Sequence, residues 1–456
     1  MTFHPSDAPS EDAGSVANQT PYSDMPIMGE ALAHEDGQAP EPARTGSLWR
    51  DGNFLTMWSG QALAQLGSQI AELAIPTLAV ILLNASELDV GFLNASAVAA
   101  FLLVGLPAGA WVDRMRKRHV MIVADAVRAL ALAVLPMLWF LGTLEMWHMF
   151  VVAAVVGIAN VFFDVSYQSL VPSLVPATHI AEANGKLEST AQVAGIAGPA
   201  VGGWLVGLIT APFAILATVG TYVVSLVALI FTKDTEHLEL RTEKGSLVSD
   251  IGEGLRWVFG NRYLKRIVAT TAVSNFFSTL SFTLLPIFIL RELGLSVANM
   301  GLIFSLAGVG GLLGAMSVKF IVARVGEARA ILLGAIGFSV TAVLLPVAAM
   351  VPSVAFVLLV VQGFISSFTV LVYNITQVTF RQRITPRRLL GRMNASIRFV
   401  VWGVMPLSAL LAGYLGTEFG VVATMWVGAF GQVVSSLFVV FGPFWATREL
   451  PATAEA

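Results

Sequence analysis

Twelve apolar segments alternate with short polar punctuation along the chain, at about 54–83, 89–112, 120–142, 147–170, 181–209, 212–232, 264–290, 297–320, 328–349, 353–378, 391–416 and 420–446. Each is long enough to cross a bilayer core, which takes roughly 20 apolar residues of α-helix. The pattern predicts an all-α, polytopic membrane protein. The longest hydrophilic interior stretch, 233–262, divides the segments six and six. Within it Leu247, Ile251, Leu255 and Val258 fall on one helical face, as in an interfacial helix lying along the membrane surface. The expected organisation is a tail over 1–46, a six-helix half over 47–232, a linker over 233–262, a second half over 263–448 and a short tail over 449–456.

Sliding the sequence against itself tests whether the halves are copies. A constant offset of 210 pairs Pro76 with Pro286, Gly91 with Gly301, Arg114 with Arg324, Pro136 with Pro346, Pro176 with Pro386, Asn184 with Asn394 and Gly203 with Gly413. Prolines and glycines dictate backbone geometry, so their coincidence at one offset predicts two parallel six-helix repeats.

Composition and charge fix the solvent and the orientation. With 56% hydrophobic and 12% charged residues, against about 25% charged in a soluble domain, a water-soluble fold would have nowhere to bury its apolar surface. With the N-terminus inside, the inner loops hold Arg114, Arg116, Lys117 and Arg118, then Lys233 to Arg266, then Arg324 and Arg329, then Arg381 to Arg392. The outer loops hold Glu87, Asp89, Glu145, Glu292 and Glu418, with Arg291 as their single basic residue. Positive loops stay inside, so both termini are expected in the cytoplasm. Residues 1–46 carry eight acidic residues, six prolines and one basic residue, Arg44. They read as a disordered acidic tail and not as a signal peptide.

The absence of cysteine removes disulfide, iron–sulfur and thiolate chemistry. The six histidines show no metal spacing, and no Walker motif occurs, so no cofactor, metal, direct use of ATP or nucleic-acid partner is expected. A membrane-embedded enzyme would need a nucleophile, metal ligands or a clustered acid–base pair near one interface, and a receptor would need a large soluble domain. Neither is visible, and the chain is not expected to be an enzyme.

Polar residues in a membrane helix are costly, and at helical spacing they face a cavity. Four segments carry such stripes: Gln61, Gln65, Ser68 and Glu72 on the first; Asn160, Asp164 and Tyr167 on the fourth; Thr271, Asn275 and Ser278 on the seventh; Gln362, Ser366, Thr369 and Tyr373 on the tenth. A carboxylate deep in an apolar segment is expensive to keep charged, so Glu72 is the first candidate to load and release a proton, with Asp164 second. Asp125 and Arg128 stand three apart on the third segment, and Glu188 has Arg398 as its repeat partner. These read as pairing or gating charges. The run Gly308-Val-Gly310-Gly-Leu-Leu-Gly314 mimics a dinucleotide fingerprint but lies inside an apolar helix, where close helix packing is the expected role.

After the second segment the chain reads Gly109-Ala-Trp-Val-Asp113-Arg114-Met-Arg116-Lys117-Arg118, which resembles the GxxxD(R/K)xG(R/K)(R/K) signature of the major facilitator superfamily. Arg116 stands where that signature has glycine, and Gly314, Arg324 and Gly326 keep only a remnant of it in the second half. The resemblance implies a latch in which Gly109 allows close helix approach and Asp113, flanked by Arg114 and Arg118, meets the start of the eleventh helix. The fifth segment carries Gly195-Ile-Ala-Gly198-Pro199-Ala-Val-Gly202-Gly203, similar to the GPxxGG motif of antiporters in that superfamily. Leu170-Val-Pro-Ser-Leu-Val-Pro176, Ala183-Asn184, Gly391-Arg392-Met-Asn394 and Pro406-Leu-Ser-Ala-Leu-Leu-Ala-Gly413 look like the drug–proton antiporter-3 branch, the macrolide-efflux and enterobactin-exporter group.

The resemblance spans about 48–446 and implies a monomeric secondary exporter. It would move amphipathic, drug-like small molecules such as macrolides against protons by alternating access, with the first, fourth, seventh and tenth helices lining the path. A siderophore or other metabolite exporter is the alternative cargo reading, and an uptake permease a further one.

Overall fold

The computed structural model describes residues 48–112, 114–233, 247–386, 389–445 and 447–450. The expected tail over 1–46 and Asp113 lie outside the described residues. Among the described residues there is no strand. The first half comprises α1 (Gly52–Leu82), α2 (Glu87–Val112), α3 (Lys117–Phe140), α4 (Met146–Leu174), α5 (Ile180–Ile209) and α6 (Ala211–Phe231). A short helix, α7 (Leu247–Gly260), follows. The second half comprises α8 (Arg262–Glu292), α9 (Val297–Val325), α10 (Glu327–Met350), α11 (Pro352–Ile384), α12 (Leu390–Phe419) and α13 (Val421–Val440). Twelve of these helices are long and apolar enough to cross a membrane.

Predicted and observed ends differ most where backbone caps override hydropathy. The last apolar segment reads to 446, yet α13 stops at Val440, just ahead of Gly442-Pro443, and Arg266 Nη1 donates to the carbonyls of Phe438 (2.9 Å) and Phe441 (3.1 Å) at that end. The linker helix α7 docks on the second half. Val258 is fully buried, Glu253 pairs with Arg392, and Trp257 Nε1 donates to Thr385 Oγ1 at 3.3 Å. The Leu247 and Ile251 side chains lie outside the described residues.

The 210-residue repeat extends to details of the backbone. Asp51 caps α1 by accepting from the backbone amides of Asn53 and Phe54, and Asn261, its repeat partner, caps α8 through Tyr263 and Leu264 in the same way. Helices α1 and α8 both finish in a π turn, Leu78–Leu82 and Phe288–Glu292, each followed by a residue of positive φ, Asn84 and Gly294. Thr210 and Gly420 repeat a second such position, at φ 70° and 85°, between the last two helices of each half.

One end of the bundle carries the first and last described residues; the other, distal end carries the α1–α2 and α8–α9 turns. At the distal end the halves share one core, in which Leu73, Leu78, Ile215 and Tyr222 pack together with Leu284, Phe288, Met300 and Met425. Toward the termini each half keeps its own core: Phe54, Met57, Phe163 and Leu229 in the first, Tyr263, Ile331, Phe380 and Phe444 in the second. The bundle is thus joined at one end and split at the other.

Four glycines make the distal join. A Cβ on Gly91 would stand 2.8 Å from the Ala409 carbonyl and 3.0 Å from the Gly413 backbone; one on Gly203 would stand 2.8 Å from the Val297 carbonyl and 3.2 Å from the Gly301 backbone. Each glycine therefore packs on the repeat partner of the other, α2 against α12 and α5 against α9, as a two-fold axis between the halves requires.

Arg291 straps the same end. Its guanidinium donates to the carbonyls of Ala85 (2.7 Å) and Val80 (2.7 Å) and to Asn84 Oδ1 (3.0 Å), all in the opposite half. Arg291→Ala is expected to shift the population of distal-open molecules by about 10-fold, the worth of one net charge-assisted hydrogen bond. The chain has no native cysteine, so spin labels at Thr143→Cys and Ser353→Cys, both exposed at that end, can read the change. An unchanged distance distribution would show that the strap carries no closing energy.

Candidate substrate cavity

Between the halves lies a cavity of about 750 Å³, within the range of drug-sized ligand pockets. Helix α1 contributes Ala71, Glu72, Ile75 and Pro76; α4 contributes Met149, Val152, Val156 and Asn160; α8 contributes Thr271, Ser274, Asn275, Ser278 and Phe282; α11 contributes Gln362, Ser366, Ser367, Val370, Tyr373 and Asn374. Asn94 of α2, Phe304 of α9, Phe338 of α10, Met405 of α12 and Gln432 of α13 complete the wall. Met405 begins the second segment of α12, which is interrupted at Val404 ahead of Pro406.

The cavity gathers eight of the residues singled out from the sequence: Glu72, Asn160, Thr271, Asn275, Ser278, Gln362, Ser366 and Tyr373. The others lie elsewhere. Gln61, Gln65 and Ser68 sit one to three helical turns from Glu72 toward the termini. Thr369 packs its methyl against Gly337 of α10 and donates its hydroxyl to the carbonyls of Ile365 and Ser366. Tyr167 stacks on Phe163, ring centroids 6.2 Å apart, beside the first-half core. Asp164, one turn beyond Asn160, is exposed at the split end.

Among the described residues Glu72 is the only acidic one in the cavity wall, and no basic one lines it. Its side chain is exposed to the cavity, and among the described residues it has neither a hydrogen-bond partner nor an ion pair. The polar groups of the second half, by contrast, are tied to one another. Tyr373 Oη bonds with Thr271 Oγ1 (2.9 Å) and donates to the Ile267 carbonyl (3.1 Å). Ser274 Oγ donates to Gln432 Oε1 at 2.9 Å, and Gln432 Nε2 donates back to the Ser274 carbonyl at 3.0 Å. The 210-residue offset pairs Glu72 with Phe282, Asp125 with Ala335, Arg128 with Phe338 and Asp164 with Asn374. At each of these positions the first half is charged and the second is neutral.

The expected gating residues divide in the same plain way. Asp125 and Arg128 form a buried ion pair inside the first half. Arg118 donates to the carbonyls of Leu229 and Ile230, capping the end of α6, and Arg114 sits exposed in the α2–α3 turn. Gly109 lies in α2. Glu188 accepts from Gln192 Nε2 at 2.8 Å, while the Arg398 guanidinium lies 5.4 Å from the Trp402 ring centre; the two do not pair with each other. Within the GPxxGG stretch, Gly198 and Gly202 face Gln69 and Ile70 of α1, whereas the Pro199 carbonyl and Gly203 face Gly301 of α9. The motif lets α5 fit between a helix of its own half and a helix of the other. The Gly308–Gly314 run does the same for α9, with Gly310 and Gly314 against the α11 backbone at Phe364 and Phe368.

Asn94, Ser274, Thr279, Ser281, Thr283, Ser367, Asn374 and Gln432 also line the wall and were not foreseen. The offset itself signals Asn374, the repeat partner of Asp164. A lone asparagine on α2 and a lone glutamine on α13 set up no spacing to detect.

Two repeats of six membrane-length helices around one central cavity define a polytopic membrane transporter. The chain belongs to the Major Facilitator Superfamily, whose sequence profile matches residues 57–408. It is 24% identical over 405 residues to the multidrug efflux pump Tap of Mycolicibacterium fortuitum, covering 86% of this chain and 96% of that protein. It is 28% identical over 151 residues to macrolide efflux protein A of Streptococcus pyogenes, covering 32% of this chain and 36% of that one. Among solved structures, a bacterial homologue of the iron transporter ferroportin in its inward-facing state superposes with a TM-score of 0.68 at 17% identity, over 88% of this chain and all of that one. That last likeness is one of fold.

Proposed function

We propose that the protein exports amphipathic, drug-like small molecules, macrolides among them, in exchange for protons. Alternating access would come from rocking of the two halves, with both termini in the cytoplasm of a bacterial cell. The observation that carries this reading is a central cavity in which Glu72, an unpaired carboxylate, is the single charged group among the described residues. An apolar wall with Phe282, Phe304 and Phe338 suits an amphipathic cargo, and a carboxylate without a partner suits a site that exchanges a proton for that cargo. The names of the relatives, a multidrug pump and a macrolide efflux protein, support the direction and the cargo class. The basic loops at the split end favour placing that end in the cytoplasm, so that this conformation would load from inside. A siderophore cargo is disfavoured because an anionic catecholate would meet no basic side chain in the wall.

The test is accumulation of erythromycin, tetracycline, ethidium and a catecholate siderophore in efflux-deficient cells with and without the protein. Lower accumulation of the amphipathic drugs, abolished by a protonophore, is expected. Raised accumulation would overturn the export direction, and protonophore-insensitive efflux would overturn the proton coupling.

A further inference from the structure

Asn160 is held from behind. Its Oδ1 accepts from Arg128 Nη1 at 3.2 Å, while its side chain lines the central cavity and its amide nitrogen has no partner among the described residues. Arg128 cannot easily move. Nη2 donates to Asp125 Oδ1, and the guanidinium carbon lies 3.9 Å from the Phe163 ring centre and 4.6 Å from that of Tyr222, with the side chain almost wholly buried. A guanidinium offers only donors, so the asparagine must turn its oxygen toward it. The two amide hydrogens are what remains for the cavity.

The repeat shows how particular this arrangement is. At the matching positions the second half has Ala335 for Asp125, Phe338 for Arg128, Val370 for Asn160 and Tyr373 for Phe163. There, Phe338 and Tyr373 meet edge to face, with ring centres 5.5 Å apart. The first half has a cation over the same ring position and a polarised amide in front of it.

We infer that Arg128, fixed by Asp125, Phe163 and Tyr222, is a positioning residue that makes Asn160 a one-way hydrogen-bond donor selecting cargo with an accepting oxygen: a carbonyl, ether or hydroxyl. The inference rests on the export reading for the word cargo, but its geometry does not depend on the direction of transport. An amide free to turn could offer either its oxygen or its nitrogen; one clamped from behind discriminates between cargo groups.

Purified full-length protein is titrated with erythromycin, rich in accepting oxygens, and with ethidium, an aromatic cation that has none. Binding is followed by intrinsic tryptophan fluorescence. Asn160→Asp keeps an oxygen for Arg128 and removes the donors, so it preserves the buried pairing; Asn160→Leu removes both. Each is expected to weaken erythromycin by about 10-fold; ethidium should stay within about 2-fold in Asn160→Leu, while the carboxylate of Asn160→Asp should leave the cation's binding no weaker. The double variant Asp125→Leu/Arg128→Met removes both charges together and frees the amide to turn, so erythromycin should weaken by about 3-fold with ethidium unchanged. Parallel loss of both probes, no loss of erythromycin in Asn160→Asp, or failure of the wild type to bind erythromycin would overturn the inference. Energised efflux of erythromycin from cells separates the two readings: binding that depends on Asn160 without extrusion defeats export and leaves the donor assignment standing.

Discussion

A protein carrying Gly301→Leu should be unable to close its distal end and should lose most of its transport. The Pro199 carbonyl already occupies the place of any side chain at Gly301, and Gly203 presses on it from the next turn. A bulkier residue must push α5 and α9 apart, and overpacking of this kind costs about 1–3 kcal/mol, a shift of about 5- to 150-fold in a two-state population. The spin-label pair at Thr143 and Ser353 should report a longer distance. A pair at Met115 and Ala323, exposed near the ends of α2 and α9 toward the termini, should report a shorter one. Gly207→Leu is the control, since nothing lies within 4 Å of a Cβ at that position on the same helix. Equal effects at 207 and 301 would mean that helix packing of any sort, not this contact, governs closure.

Glu72→Gln should uncouple transport from protons. The substitution keeps the size of the side chain and removes only its ability to exchange a proton. It should therefore spare the cavity while substrate-driven proton release from reconstituted protein falls by at least about 10-fold, as expected when the proton-carrying group itself is lost. A pH-sensitive dye in proteoliposomes gives the reading. If release persists in Glu72→Gln but disappears in Asp164→Asn, the proton travels through Asp164 of α4 instead. If both variants release protons normally, neither carboxylate is the carrier.

Hydropathy alone made the twelve helices legible, and a constant offset made the duplication legible, because glycine, proline and cap residues report backbone geometry directly. The offset gave the repeat partners but not the contacts: Gly91 pairs with Gly301 in sequence and packs on Gly413 in space, while Gly203 pairs with Gly413 and packs on Gly301. Helix ends were less visible: the apolar run continues past Val440, where Gly442-Pro443 stop the helix and Arg266, from a distant part of the chain, satisfies carbonyls at its end. The cavity was half visible. Spacing identifies a polar face but not how far along that face the cavity extends, so Gln61 and Glu72 looked alike although only Glu72 lines the wall. Nor can spacing tell a hydroxyl that packs on a glycine, as Thr369 does, from one that faces a cavity. The link from Arg128 to Asn160 joins two helices and has no signature within either.

The uneven distribution of charge between the two repeats bears on how such a protein can diversify. Glu72, Asp125, Arg128 and Asp164 all belong to one copy of the ancestral unit, and their counterparts in the other are Phe282, Ala335, Phe338 and Asn374. Substitutions along α8, α11 and α13 can then reshape the second-half wall without touching Glu72. On the proposed reading, point mutations in the second half would alter the cargo while Glu72 in the first is inherited unchanged.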